Sequence, residues 1–137
     1  MKFYFDSSAL FKRYIAEKGS DRIDDLFFEA DSVVVSGISL PEIISALSRL
    51  HREKKLNAHQ YNQCKKAVLT DFVGFQECSL SPEVVSMAIL VLERGDLRAA
   101  DAIHIASALE AKVSRFISSD ARQVAAAKIF NLAVEAV

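Results

Sequence analysis

At 137 residues, 51% hydrophobic and 26% charged, the chain suits a single globular domain over residues 1–137 and excludes a disordered or fibrous protein. A formal net charge of -1 excludes nucleic-acid binding driven by overall charge, so any such surface has to be local. No apolar run is long enough to span a bilayer, and Met1 leads directly into a strand-like run without a basic-then-apolar leader. With Cys64 and Cys78 lacking metal-ligand spacing, the expected location is the cytoplasm.

Lys2–Phe5 reads as a buried strand, followed by a short helix over Ser8–Ile15 that ends before Gly19. Ser20 or Asp21 caps a second helix to Ala30, with Ile23, Leu26 and Phe27 on its core face. Ser32–Ser36 is β-branched and reads as the second strand. Ile43, Ile44, Leu47 and Leu50 place a helix over Leu40–Lys54, and the cations Arg49 and Arg52 suit its C-terminal dipole. Asn57 or Ala58 opens another helix to about Asp71, and a third strand lies within Phe72–Leu80. Ser81 caps a helix from Pro82 to Arg94, where proline occupies the tolerated first position. After the Gly95-Asp96 break come a helix over Leu97–Lys112, a strand over Ser114–Ser118 and a helix from Asp120 to about Lys128. A short edge strand over Leu132–Val134 closes the chain. Strand–helix alternation of this kind argues for a parallel sheet covered on both faces.

Four acids stand where strands end or helices begin: Asp6, Glu42, Asp101 and Asp120. A parallel sheet gathers such positions along one edge. Each has a plain structural alternative. Asp6 and Asp120 suit helix caps, and Ser39-Leu40-Pro41-Glu42 fits a capping box. Asp101 lies among Ala99, Ala100, Ala102, Ile103 and Ile105, where a buried carboxylate needs a partner; Arg98 is one candidate. Carboxylates that converge repel one another unless a cation neutralises them, and oxygen donors of this kind suit hard divalent ions. The pattern therefore points to metal-assisted phosphodiester chemistry, which needs no protein nucleophile. Ser7, Ser8 and Ser118 flank the acids. His104 follows Asp101 by three residues on the same helix side and reads as a satisfied, partly buried histidine. Two other functions remain open at this level. One is a phosphotransfer domain with Asp6 as phosphoacceptor; the other is a non-catalytic module whose acids bind a basic partner.

Four segments carry a family resemblance. They are Tyr4-Phe5-Asp6-Ser7-Ser8-Ala9-Leu10-Phe11, Ser36 to Glu42, Leu97-Arg98-Ala99-Ala100-Asp101-Ala102-Ile103-His104, and Phe116-Ile117-Ser118-Ser119-Asp120. In order and spacing they resemble the PIN-domain nucleases, and among them the VapC-type toxins of toxin–antitoxin pairs. The resemblance covers nearly the whole chain. It implies a three-layer α/β/α sandwich around a mainly parallel five-stranded sheet, and a Mg²⁺- or Mn²⁺-dependent endoribonuclease acting on RNA. Asp6 and Asp101 would be the main metal ligands, Glu42 and Asp120 would complete the set directly or through water, and Ser8 and Ser118 would support them. It further implies a cognate antitoxin, expected to cover surplus apolar side chains among Phe11, Tyr14, Ile15, Phe27 and Phe28, and a homodimer.

Overall fold

In the computed structural model, which describes residues 1–137, every strand pairing is parallel. The strands are β1 (Lys2–Phe5), β2 (Ser32–Ser36), β3 (Gln76–Cys78), β4 (Arg115–Ser118) and β5 (Val134–Ala136), in the order β3-β2-β1-β4-β5. Strand β1 is central. The chain builds outward through β2 and β3, then crosses to the other side of β1 to lay down β4. The crevice beyond the carboxyl ends of β1 and β4 is thus the point where the winding reverses, which is where open α/β sheets place their ligands.

Alternation along the strands divides the core into two layers. Phe3, Phe5, Val35 and Ile117 face one side. There they meet α1 (Ser7–Phe11), α2 (Ser20–Glu29), α3 (Ser39–Arg52) and α4 (Ala58–Val73), through residues such as Leu10, Leu26, Leu47 and Val68. Tyr4, Val34 and Phe116 face the other side. They pack on α5 (Pro82–Arg94), α6 (Ala99–Ala111) and α7 (Ala121–Ile129). The α/β/α sandwich and the parallel five-stranded sheet anticipated from the sequence are both present.

Boundaries differ most at two places. Helix α1 ends at Phe11, and residues 12–15 form turns instead of continuing to Ile15. The reason is tertiary: Arg13 Nε and Tyr14 Oη both donate to Asp71 Oδ2 of α4, at 2.9 and 3.0 Å, which pulls the chain off the helical path. Gly19 then starts α2 at φ 95°, a left-handed conformation suited to glycine. Strand β5 begins at Val134, two residues later than expected, because Asn131 turns at φ 61° and Val134 pairs with Phe116. Of the supposed surplus apolar residues, Phe11, Tyr14, Ile15 and Phe27 pack partly into the core, while Phe28 is 93% exposed.

Leu47 is fully buried between α3 and the sheet, so Leu47→Ala should lower the unfolding free energy by about 3 kcal/mol in urea titrations. Ile129→Ala, at a position 60% exposed, should change it by less than about 0.5 kcal/mol. Equal effects would contradict the layer assignment.

Candidate active site

Asp6 leaves the end of β1 as the N-cap of α1 and is only 3% exposed. Its backbone N–H still pairs with Ile117 O at 3.0 Å, so the parallel ladder with β4 carries the carboxylate to the switch point. Three donors hold that carboxylate. Ser8 Oγ and the Ala9 N–H donate to Oδ1 at 2.7 and 2.9 Å, and Ser118 Oγ donates to Oδ2 at 2.5 Å. Burial pushes the Asp6 carboxyl above the ordinary range, and the bonds from Ser118 and Ser8 only partly counter it. Asp6 is therefore both a helix cap and a strained charge; the two readings are not exclusive.

Ser118 gathers the far side of the site. Its Oγ also accepts the Asp120 N–H at 3.0 Å, while Ser8 Oγ accepts the Ser119 N–H at 3.1 Å. Asp120 caps α7 by accepting from the Arg122 N–H at 2.9 Å, so its plain reading as a cap is realised and its carboxylate is half-buried.

Glu42 does not form the capping box that its sequence suggests. Ser39 Oγ instead accepts the Ser36 N–H at 2.9 Å, and Ile38 stands at the N-cap with no side-chain bond. Glu42 is thereby free to project from the first turn of α3 toward α1 and α6. Its Oε1 accepts from Ser7 Oγ at 2.8 Å and from His104 Nε2 at 2.6 Å. Burial pushes the Glu42 carboxyl up, but the bond to His104, its charge and the bond from Ser7 outweigh that and hold it below the usual carboxylate range. Its Oε2 has no protein partner.

His104 is a satisfied, buried histidine, as the sequence suggested, but what satisfies it belongs to the site. Nε2 faces Glu42, and Nδ1 lies 2.6 Å from the Tyr4 hydroxyl. Burial raises the Tyr4 phenol well above its usual range, so the phenol keeps its proton. With the Tyr4 hydroxyl donating to Nδ1, Nε2–H donates to Glu42. A relay thus runs from β1 through α6 to α3. Tyr4 was missed by sequence reasoning. Its signal was alternation: two residues before Asp6 on a strand, it faces the same side as Asp6, the side on which α6 packs.

Asp101 lies in the first turn of α6 and is 8% exposed. Arg98 Nε donates to its Oδ2 at 3.3 Å, so the anticipated Arg98 partner is present. Arg98 is itself 75% exposed, so its solvent-screened charge offsets little of the cost of burying Asp101. The second oxygen of Asp101 has no protein partner.

The donor set suits a hard divalent ion in kind, since every candidate ligand is an oxygen. No three of the His, Cys, Asp and Glu side chains lie close enough together to hold a metal ion between them. Asp6 has about one lone-pair direction left after its three bonds, and Asp101 has an unused oxygen.

The domain model that matches residues 3–129 is the PIN domain. The chain belongs to the PIN domain family. Ribonuclease VapC45 of Mycobacterium tuberculosis (strain CDC 1551 / Oshkosh) is 29% identical over 106 residues, which are 77% of this chain and 74% of that one. Among solved structures, VapC20 of M. tuberculosis, a sarcin–ricin loop cleaving toxin, superposes with a TM-score of 0.68 at 16% identity, covering 90% of this chain and 94% of its own. A toxin–antitoxin complex from Klebsiella pneumoniae gives 0.68 at 15% identity, covering 89% of each chain. At such identities the superpositions establish the fold.

Because burial raises Asp6, its folded form holds the proton more tightly than the unfolded chain does. Asp6 therefore subtracts stability as pH rises from the usual carboxylate range through its raised value. In metal-free buffer at neutral pH, Asp6→Asn should raise the melting temperature, by roughly 3 °C for each kcal/mol relieved, and the gain should vanish in acid. A gain that persists unchanged to low pH would contradict the burial argument.

Proposed function

We propose that this PIN domain protein is a divalent-metal-dependent endoribonuclease and the toxin of a type II toxin–antitoxin pair acting in the cytoplasm. One observation carries the reading. A buried carboxylate, Asp6, is pinned at the sheet's switch point by donors from two elements, Ser118 links it to the Asp120 backbone, and Ser7 and His104 hold Glu42. The VapC45 relative is named a ribonuclease.

Asp6 and Asp101 would hold Mg²⁺ or Mn²⁺, with Glu42 and Asp120 completing the set directly or through water. When bound, such an ion lowers the pKa of water and stabilises charge on the attacked phosphate. The rest falls to the chain's own residues. Ser8 and Ser118 fix the Asp6 carboxylate. His104 and Ser7 fix Glu42 through Oε1, which leaves Oε2 to accept a hydrogen bond from an attacking water. Hydrolysis then joins the water oxygen to phosphorus and releases the sugar oxygen with a proton. A phosphoacceptor role for Asp6 is disfavoured because both its oxygens are already bonded inside the fold.

An antitoxin partner is supported by the family and by fold neighbours solved as toxin–antitoxin complexes. The exposed Phe28 of α2 is the apolar anchor that the core leaves uncovered. A homodimer is supported by α5, where Val85, Ile89 and Leu92 are exposed at helical spacing on the side away from the core.

Purified protein should cut labelled single-stranded RNA in Mg²⁺ and stop in EDTA. Asp101→Asn should cut roughly a thousandfold more slowly while remaining folded by circular dichroism. Cleavage at the wild-type rate by that variant, or cleavage in EDTA, would refute the proposal.

A further inference from the structure

Beside Glu42 lies a cleft of about 680 Å³ that three arginines line. Glu42 forms one end. Ser45, Arg49 and Arg52 follow along the same side of α3, and Arg98 closes the cleft from the segment before α6. Glu42 is the only acid lining it, against three arginines, in a chain whose net charge is -1. Helix rise puts Arg49 about 10 Å and Arg52 about 15 Å along the α3 axis from Glu42. Neither makes a salt bridge, although Arg13, Arg22 and Arg115 all do. Arg98 gives one N–H to Asp101 and keeps its other donors unpaired.

The helix dipole favours cations at the end of α3, and that alone accounts for Arg49 and Arg52. It does not account for Arg98, which comes from a different element and meets them across the cleft. A second cleft, of about 410 Å³, lies on the opposite side of Glu42. Ser7, Ser8, Phe11 and Ser119 line it, and Arg49 borders it as well. Glu42 therefore stands between two depressions joined past Arg49, an open path for an extended chain.

We propose that Arg49, Arg52 and Arg98 form a phosphate-gripping track for single-stranded RNA, engaging phosphates beyond the bond that is cut. The inference rests on the ribonuclease reading above and gives that site a binding direction along α3. Planar guanidinium groups engage phosphate oxygens in bidentate fashion, and exposed unpaired arginines lose no internal bond by doing so. Contacts to phosphate carry no sequence information, so the track adds affinity and register.

The test measures RNA cleavage by the full chain in Mg²⁺ across a KCl series. Arg49→Gln with Arg52→Gln should raise KM roughly tenfold and leave kcat unchanged, since Gln keeps similar helix propensity and neither residue touches the carboxylates. The plot of log kcat/KM against log salt should become shallower by about 1.4, two contacts at roughly 0.7 each for a single strand. Arg49→Lys with Arg52→Lys should restore the slope. Lys65→Gln with Lys66→Gln, an equal charge change on α4, should alter neither KM nor slope. If the arginine pair matches wild type, or the two Gln pairs weaken cleavage alike, the track is refuted while the ribonuclease reading stands. If wild type fails to cut RNA in Mg²⁺, both fall.

Discussion

The structure turns on one buried charge. Asp6 sits buried at the end of the central strand, and a lone carboxylate there is costly. The chain offsets that cost with donors from α1 and β4, so the same bonds that cap α1 also clamp the β1–β4 seam at the switch point. Site and fold are thus one object at this position. The remaining imbalance, a carboxyl still pushed upward in pKa, is what an added cation would relieve.

A second set of bonds spreads that organisation to the helices. Tyr4, His104 and Glu42 connect β1, α6 and α3 by two bonds of 2.6 Å. Glu42 is held on one oxygen and open on the other, the condition for a side chain that orients something outside the protein. Its depressed pKa keeps it charged, whereas burial works against the charge on Asp6. The two carboxylates therefore come to the same edge in different electrostatic conditions.

Much of this was legible in the sequence because the signals were local. Lys2–Phe5 and Ser32–Ser36 are apolar or β-branched runs, and both strands form at the expected bounds. Ser81-Pro82 fixes the start of α5, where Ser81 Oγ accepts the Val84 N–H at 3.2 Å. What stayed hidden depends on partners distant in sequence. Helix α1 stops early because Asp71, some sixty residues on, claims Arg13 and Tyr14. The capping box at Ser39 fails because Ser36 takes the serine first. Strand β5 is placed partly by Glu135, which accepts from Arg22 and Arg115 at 2.6 and 3.1 Å. The four acids could be listed from the sequence, yet the relay that fixes one of them could not. Its middle member looked like an ordinary core histidine, and its far end lay a hundred residues away.

The central claim is that this edge of the sheet is built to hold a divalent ion on Asp6 and Asp101. The most direct test is anomalous diffraction from crystals soaked in Mn²⁺. The account predicts a peak within coordination distance of both carboxylates, lost in Asp6→Asn crystals. A peak confined to exposed acids such as Asp21, Asp24 and Asp25, or no peak at this edge at saturating Mn²⁺, would contradict it.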